Sequence, residues 1–191
     1  MAERTHADDI RTIGDLVAAK ASENGEAVAV RYGDRAVSYD ELHRRTNAIA
    51  NEFRERGIAS GDRVCLYLYT SLEHLYAYFA LAKLGAVVFP VDTRFSGTTL
   101  EYVLRQADPT AVLVDGQTRD DYKAVRSDVG EDTFQYIVGG DSLDESYRPF
   151  SDLLDGDADD SPGTTVDGSD TASITFVQNR ADERPKGVML P

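Results

Sequence analysis

The sequence predicts an α/β fold, a mainly parallel sheet flanked by helices, and three features carry that expectation. From residue 37 onward, strand-type and helix-type apolar patterns alternate, as successive βαβ units do. Two strand candidates, residues 63–69 and 111–115, are apolar over most of their length, which suits strands covered on both faces. Gly57, Gly85 and Pro90 stand where the periodic segments stop.

Taken in order, Thr12 is placed to cap a first helix, with Asp15 three residues on and Ile13, Leu16 and Val17 apolar; the helix fades at Asn24 and Gly25. Residues 27–32 read as a strand, Gly33 and Asp34 as a turn, and Ala36 and Val37 as a second short strand. Ser38 and Glu41 form a capping box on paper, each side chain reaching the other's backbone N–H. The helix that follows gathers Leu42, Ile49, Ala50 and Phe53 on one face, and leaves Arg44, Arg45, Glu52 and Glu55 mainly outside it. Residues 71–84 and 98–107 are further helices; 86–90 and 134–138 are further strands. The first unit is expected to span residues 1–154. Residues 155–170, rich in Asp, Gly, Ser and Thr, read as an acidic linker or surface loop, and residues 171–191 begin the next subdomain with a strand over 172–177.

Composition narrows the function. A net charge of -14 repels nucleic acid and anionic membranes, so neither is expected as a partner. No apolar run reaches the ~18 residues of a membrane span. The N-terminus is polar and acidic, unlike a secretory signal, so a cytoplasmic location is expected. Asp outnumbers Glu and Arg outnumbers Lys, a balance that resembles proteins of concentrated salt; the lysines are Lys20, Lys83, Lys123 and Lys186. Cys65 lies in an apolar run and is expected as buried filler, not as a nucleophile. His6, His43 and His74 are scattered and make no metal site: His6 is expected to be disordered, His43 on the exposed side of its helix, and His74 packed or at the surface. Tyr67, Tyr69, Tyr76 and Tyr78 read as packing residues with polar tips, and Arg94 as a surface ion-pair residue.

Two segments resemble the AMP-binding adenylate-forming family, which includes acyl-CoA synthetases and amino-acid adenylation domains. Val37 to Leu42, then Gly57, Gly61-Asp62-Arg63-Val64, Leu84-Gly85-Ala86-Val87 and Pro90-Val91-Asp92-Thr93-Arg94 follow the family's order and spacing, and the helix and strand of residues 100–115 continue it. Asp170-Thr171-Ala172 and Ile174, then Pro185-Lys186-Gly187-Val188, resemble the strand before and the exit after the family's phosphate loop. The resemblance implies the first part of the large N-terminal domain of an acyl-CoA synthetase. Such an enzyme joins a carboxylic acid to ATP with Mg²⁺, releases pyrophosphate, and passes the acyl group to coenzyme A. It also implies a phosphate-side role for Lys186, with Pro185 and Gly187 beside it, since glycine admits a close backbone approach and lysine adds positive charge.

The sequence departs from that pattern in two places. Residues 177–184 contain no Gly, Ser or Thr, run about one residue longer than the family's loop, and place Asp182 and Glu183 where they would repel a triphosphate, with Arg180 and Arg184 as partial offsets. The adenine pocket, acidic metal positions, most of the acyl pocket and the mobile C-terminal domain of the family have no counterpart here. The expectation is therefore a portion of a synthetase that is inactive alone and binds ATP, Mg²⁺ and coenzyme A poorly. The alternatives are half of a split enzyme completed by a second polypeptide, or a non-catalytic interaction module on the same scaffold. No G-x-G-x-x-G follows any strand, which argues against a dinucleotide-binding protein.

Overall fold

Side-chain caps open the first helices of the chain. The computed structural model describes residues 10–128, 133–139, 146–178 and 184–191. Helix α1 (Ile13–Asn24) starts with the complete Thr12/Asp15 capping box. Strands β1 (Val28–Tyr32) and β2 (Arg35–Ser38) form an antiparallel hairpin that turns on Gly33 at φ +56°, a left-handed conformation costly for most residues. Helix α2 (Tyr39–Glu55) is capped by the Ser38 hydroxyl, which accepts from the Glu41 N–H at 3.1 Å. The reciprocal half of the box is not made: Ser38 still belongs to the β-ladder opposite Val28, and the Glu41 carboxylate takes Arg45 instead, at 2.8 Å.

A seven-stranded sheet follows, built from β3 (Arg63–Tyr67), β4 (Val87–Pro90), β5 (Ala111–Asp115), β6 (Phe134–Val138), β7 (Arg148–Pro149), β8 (Ser173–Val177) and β9 (Lys186–Leu190). Its spatial order is β7-β6-β5-β3-β4-β8-β9, and only the β8–β9 pair is antiparallel. Helices α3 (Leu72–Leu84), α4 (Gly97–Ala107) and α5 (Arg119–Val125) complete the layers.

Strand periodicity divides the core in two. On β3, Val64 and Leu66 point to the side packed by α1, α2 and α3, together with Ile49, Phe53, Leu81 and Leu113. Cys65 and Tyr67 point to the other side, packed by α4 and α5 through Leu100, Leu104 and Tyr122. Both faces of the central strands are thus dry, which is why they read as continuous apolar runs. Cys65 is fully buried, and burial pushes its thiol up, in keeping with a packing role.

Residues 155–170 form a surface strap laid across α2. Asn51 Nδ2 donates to the carbonyls of Asp157 and Asp160, both at 2.8 Å, Asn47 Nδ2 donates to Ala158, and an Arg54 N–H donates to Pro162. Gly156 passes so close to α2 that a Cβ there would lie 2.1 Å from the Ala48 carbonyl oxygen. Strands β8 and β9 then join the same sheet as β3–β6. Helix α5, the short edge strand β7 and strand β9 go beyond the elements expected from sequence. No helix among the described residues is long and apolar enough to cross a membrane.

Candidate functional site

Because β3, β4, β5 and β8 are parallel, their carboxyl ends share one edge of the sheet, the edge at which open α/β sheets hold ligands. Much of the polar chemistry on this edge builds turns. Asp115 accepts from the backbone N–H groups of Tyr69, Gln117 and Thr118, and the Thr118 hydroxyl donates to the Tyr67 carbonyl at 2.6 Å. The Tyr67 hydroxyl donates to the Phe95 carbonyl at 2.6 Å. Arg94 forms the expected surface ion pair, reaching Asp92 at 2.5 Å, and this bond holds the Asp92 carboxyl below its usual range. Tyr67 and Tyr76 are buried, as a packing role requires, whereas the Tyr69 side chain is exposed.

The β8–β9 hairpin brings the predicted phosphate-side residues to this edge. Val177 pairs with Lys186 and Phe176 with Gly187, so Lys186 is the first residue of β9, at the hairpin mouth. Its side chain is exposed, and no carboxylate among the described residues pairs with it. Pro185 is buried and precedes the strand, a position where its missing N–H costs no ladder bond.

Gly187 lies inside β9 and not at a turn. A Cβ there would stand 3.3 Å from both Ile174 Cγ2 and the Phe176 ring, so the glycine leaves room for Phe176, which makes a T-shaped contact with Phe89 at 6.4 Å between centroids. Arg184 lies over the Tyr102 ring of α4, 5.1 Å from its centroid. Residues 179–183, which carry most of the departure from a glycine-rich loop, lie outside the described residues, as does His6.

Two histidines and one lysine are partly or wholly buried elsewhere in the chain. His74 is half-buried, and burial lowers the pKa of its ring. His43 is not on the exposed side of α2: its ring is partly buried against α3, where burial first and the neighbouring Lys83 second lower its pKa. Lys83, on α3, is only 7% exposed and burial brings it down to about 7. The sequence reading passed over this residue. Its signal was a lysine in a helix otherwise apolar on nearly every side, flanked by Ala82 and Leu84.

The described residues do not by themselves form a nucleotide or metal site. Among the described residues Lys186 is a cation of the hairpin without a carboxylate partner, and no group of three His, Cys, Asp or Glu side chains is arranged to hold a metal ion. What the geometry supplies is an antiparallel strand pair at the carboxyl edge of a layered α/β scaffold.

Comparison with known proteins gives this scaffold its family. The AMP-binding enzyme model matches residues 17–176, and the chain belongs to that family. Crotonobetaine/carnitine–CoA ligase of Salmonella agona is 30% identical over 161 residues, covering 82% of this chain and 31% of the relative. Malpibaldin synthetase of Mortierella alpina is 29% identical over 166 residues, 86% of this chain but 3% of that protein. Among solved structures, the Mycobacterium tuberculosis fatty acyl CoA synthetase superposes with a TM-score of 0.78 at 26% identity, covering 96% of this chain and 35% of the other. The anthranilate CoA ligase AuaEII, solved with anthranoyl-AMP, gives a TM-score of 0.86 at 19% identity, over 97% and 36%, and so shares the fold. The chain spans about a third of the length of the ligases it matches.

Proposed function

We propose that this chain is the N-terminal portion of an AMP-forming acyl-CoA ligase, a part that does not complete the reaction alone. In the complete reaction a carboxylate attacks the α-phosphate of ATP, pyrophosphate leaves, and the thiol of coenzyme A then displaces AMP from the acyl adenylate. Within that scheme Lys186 is the phosphate-side cation. The observation that carries the reading is its position: an exposed ammonium with no carboxylate partner among the described residues, at the mouth of the β8–β9 hairpin on the carboxyl edge of the sheet. Pro185, just before β9, and Gly187, which admits Phe176 across the strand pair, flank Lys186. Neutralising developing charge is the main service protein groups render to phosphoryl chemistry.

A second polypeptide completing the fold is favoured by the exposed apolar side chains of β9, where Met189 is 70% exposed beside Val188 and Leu190. The test has two arms, both at high salt to screen the net charge. Calorimetry with ATP and Mg²⁺ on the chain alone is expected to give equally weak heats for the natural protein and for Lys186→Ala. Co-expression with a polypeptide supplying the rest of the family fold is expected to yield carboxylate-dependent pyrophosphate release, reduced about tenfold or more by Lys186→Ala. Conversion of an acid to its adenylate by the chain alone would overturn the first claim. Undiminished turnover in the complemented variant would remove Lys186 from its role. Folded complexes with no turnover would favour the interaction module.

A further inference from the structure

Lys83 is enclosed by α1, α2 and the strap. Its stem runs under Gly14 of α1, where a Cβ would stand 3.1 Å from Lys83 Cγ. Its Nζ lies 2.8 Å from Asn47 Oδ1, 3.1 Å from the His43 carbonyl oxygen and 3.1 Å from His43 Nδ1, so none of its partners is a carboxylate. An ammonium buried without a counter-ion is costly, and the hydrogen-bond pattern shows how the cost is avoided.

One proton arrangement turns every one of these contacts into a hydrogen bond. Asn47 Oδ1 accepts from Lys83, so Asn47 Nδ2 faces the Ala158 carbonyl at 3.3 Å and His43 Nε2 at 3.4 Å. The reverse amide orientation would set oxygen against the Ala158 carbonyl and lose the Lys83 bond. In the fully bonded arrangement Nδ2 donates, Nε2 accepts and the imidazole proton sits on Nδ1. Nδ1–H then points at Lys83 Nζ, and only an uncharged amine has a lone pair to receive it. A charged Lys83 would need Nδ1 to accept. The imidazole proton would then move to Nε2, against the N–H of Asn47.

We propose that Lys83 rests as a neutral amine in a closed ring with His43 and Asn47, and that protonation of this ring loosens the strap of residues 155–170 from α2. The first proton turns Lys83 into a donor toward Nδ1, moves the imidazole proton to Nε2 and drives the Asn47 amide away. That amide is the same one that holds Ala158 of the strap. A second proton on His43 sets two cations side by side. A cavity of about 110 Å³, lined by Thr12, Asp15, His43, Lys83, Ser161 and Thr164, gives water and protons access to the ring.

Other charged groups face the ring from α1 and α2. From α1, Asp15 presents a carboxylate to the cavity, and its Oδ2 accepts from the N–H groups of Arg11 and Thr12. From α2, Asp40 raises the proton affinity of His43 while Arg44 pairs with Asp159 of the strap. The strap itself contributes Ser161 and Thr164 to the cavity wall, which are neutral. Burial brings Lys83 to about 7 and keeps His43 low, so the change falls at and below neutrality.

Amide hydrogen exchange on the full chain tests this. After correction for intrinsic rates, protection of residues 157–166 in the natural protein is expected to fall about tenfold between about pH 8 and about pH 6, and to stay flat in Lys83→Met. Nitrogen NMR on the natural protein keeps the test independent of how the variant folds. At about pH 8 it is expected to show the Nδ1–H tautomer of His43 and an uncharged Lys83. Equal pH profiles in the two proteins, an Nε2–H tautomer, or an ammonium persisting above about pH 9 would overturn the proposal.

Discussion

Replacing Lys83 by methionine should change how stability responds to pH, by an amount that follows from burial. The lysine falls from an ordinary value of 10.5 to about 7 in the folded chain. That drop corresponds to roughly 5 kcal/mol of disfavour for the charged form in the native state. The sign follows from proton counting. Between about 7 and 10.5 the unfolded chain holds a proton on this lysine and the native chain does not, so stability rises with pH across that window. Below about 7 the whole disfavour is expressed, and above 10.5 none of it is.

Lys83→Met removes this term. It also leaves Asn47 Oδ1 and the His43 carbonyl without their donor, which costs about 1–3 kcal/mol for each group but is not strongly pH-dependent. The difference in unfolding free energy between variant and natural protein should therefore shift by about 3 kcal/mol from about pH 7 to about pH 9.5, in the direction that favours the natural protein at high pH. Urea unfolding at a series of pH values, at fixed high salt, measures it. A difference constant to within about 0.5 kcal/mol would refute the claim that this amine is stripped of its proton by burial.

Two further outcomes are expected. Gly156→Ala forces a methyl to 2.1 Å from the Ala48 carbonyl and should cost about 1–3 kcal/mol in urea unfolding, with faster exchange in the strap but not in β3; unchanged stability would mean that the strap does not press on α2. Cys65 should resist thiol reagents in the native protein and react on unfolding, so its modification rate should track global opening, and rapid native labelling would contradict its burial.

The central scaffold was legible because strand and helix signals agreed with tertiary environment. Residues 111–115 and 134–138 form strands with the expected bounds, and Gly85 stops α3 at φ +75°. The remaining elements carried weaker marks. Helix α5 is short and mostly charged, with Tyr122 and Val125 as its buried residues. Strand β9 has no period-two alternation, contains Gly187, and takes its definition from pairing with β8. The strap's own residues look solvated, and the groups that fix it, Asn47, Asn51 and Arg54, belong to another element. For the candidate site, resemblance alone pointed to Lys186, Pro185 and Gly187, and the structure adds where they lie on the β8–β9 pair. The sequence could not disclose that Gly187 serves a cross-strand aromatic contact or that Arg184 is spent on Tyr102, since both depend on side chains distant in sequence.

The insertion of β8 beside β4 sets a timetable for synthesis. Strand β4 meets β3 soon after both leave the ribosome, but its other flank waits for Ser173, roughly eighty residues later. At ordinary elongation rates that flank stays bare for about 4–16 seconds, a long interval for a row of unmatched amides and carbonyls next to Phe89. Nascent chains halted before residue 173 should therefore be the ones that chaperones hold and that cluster when chaperones are scarce.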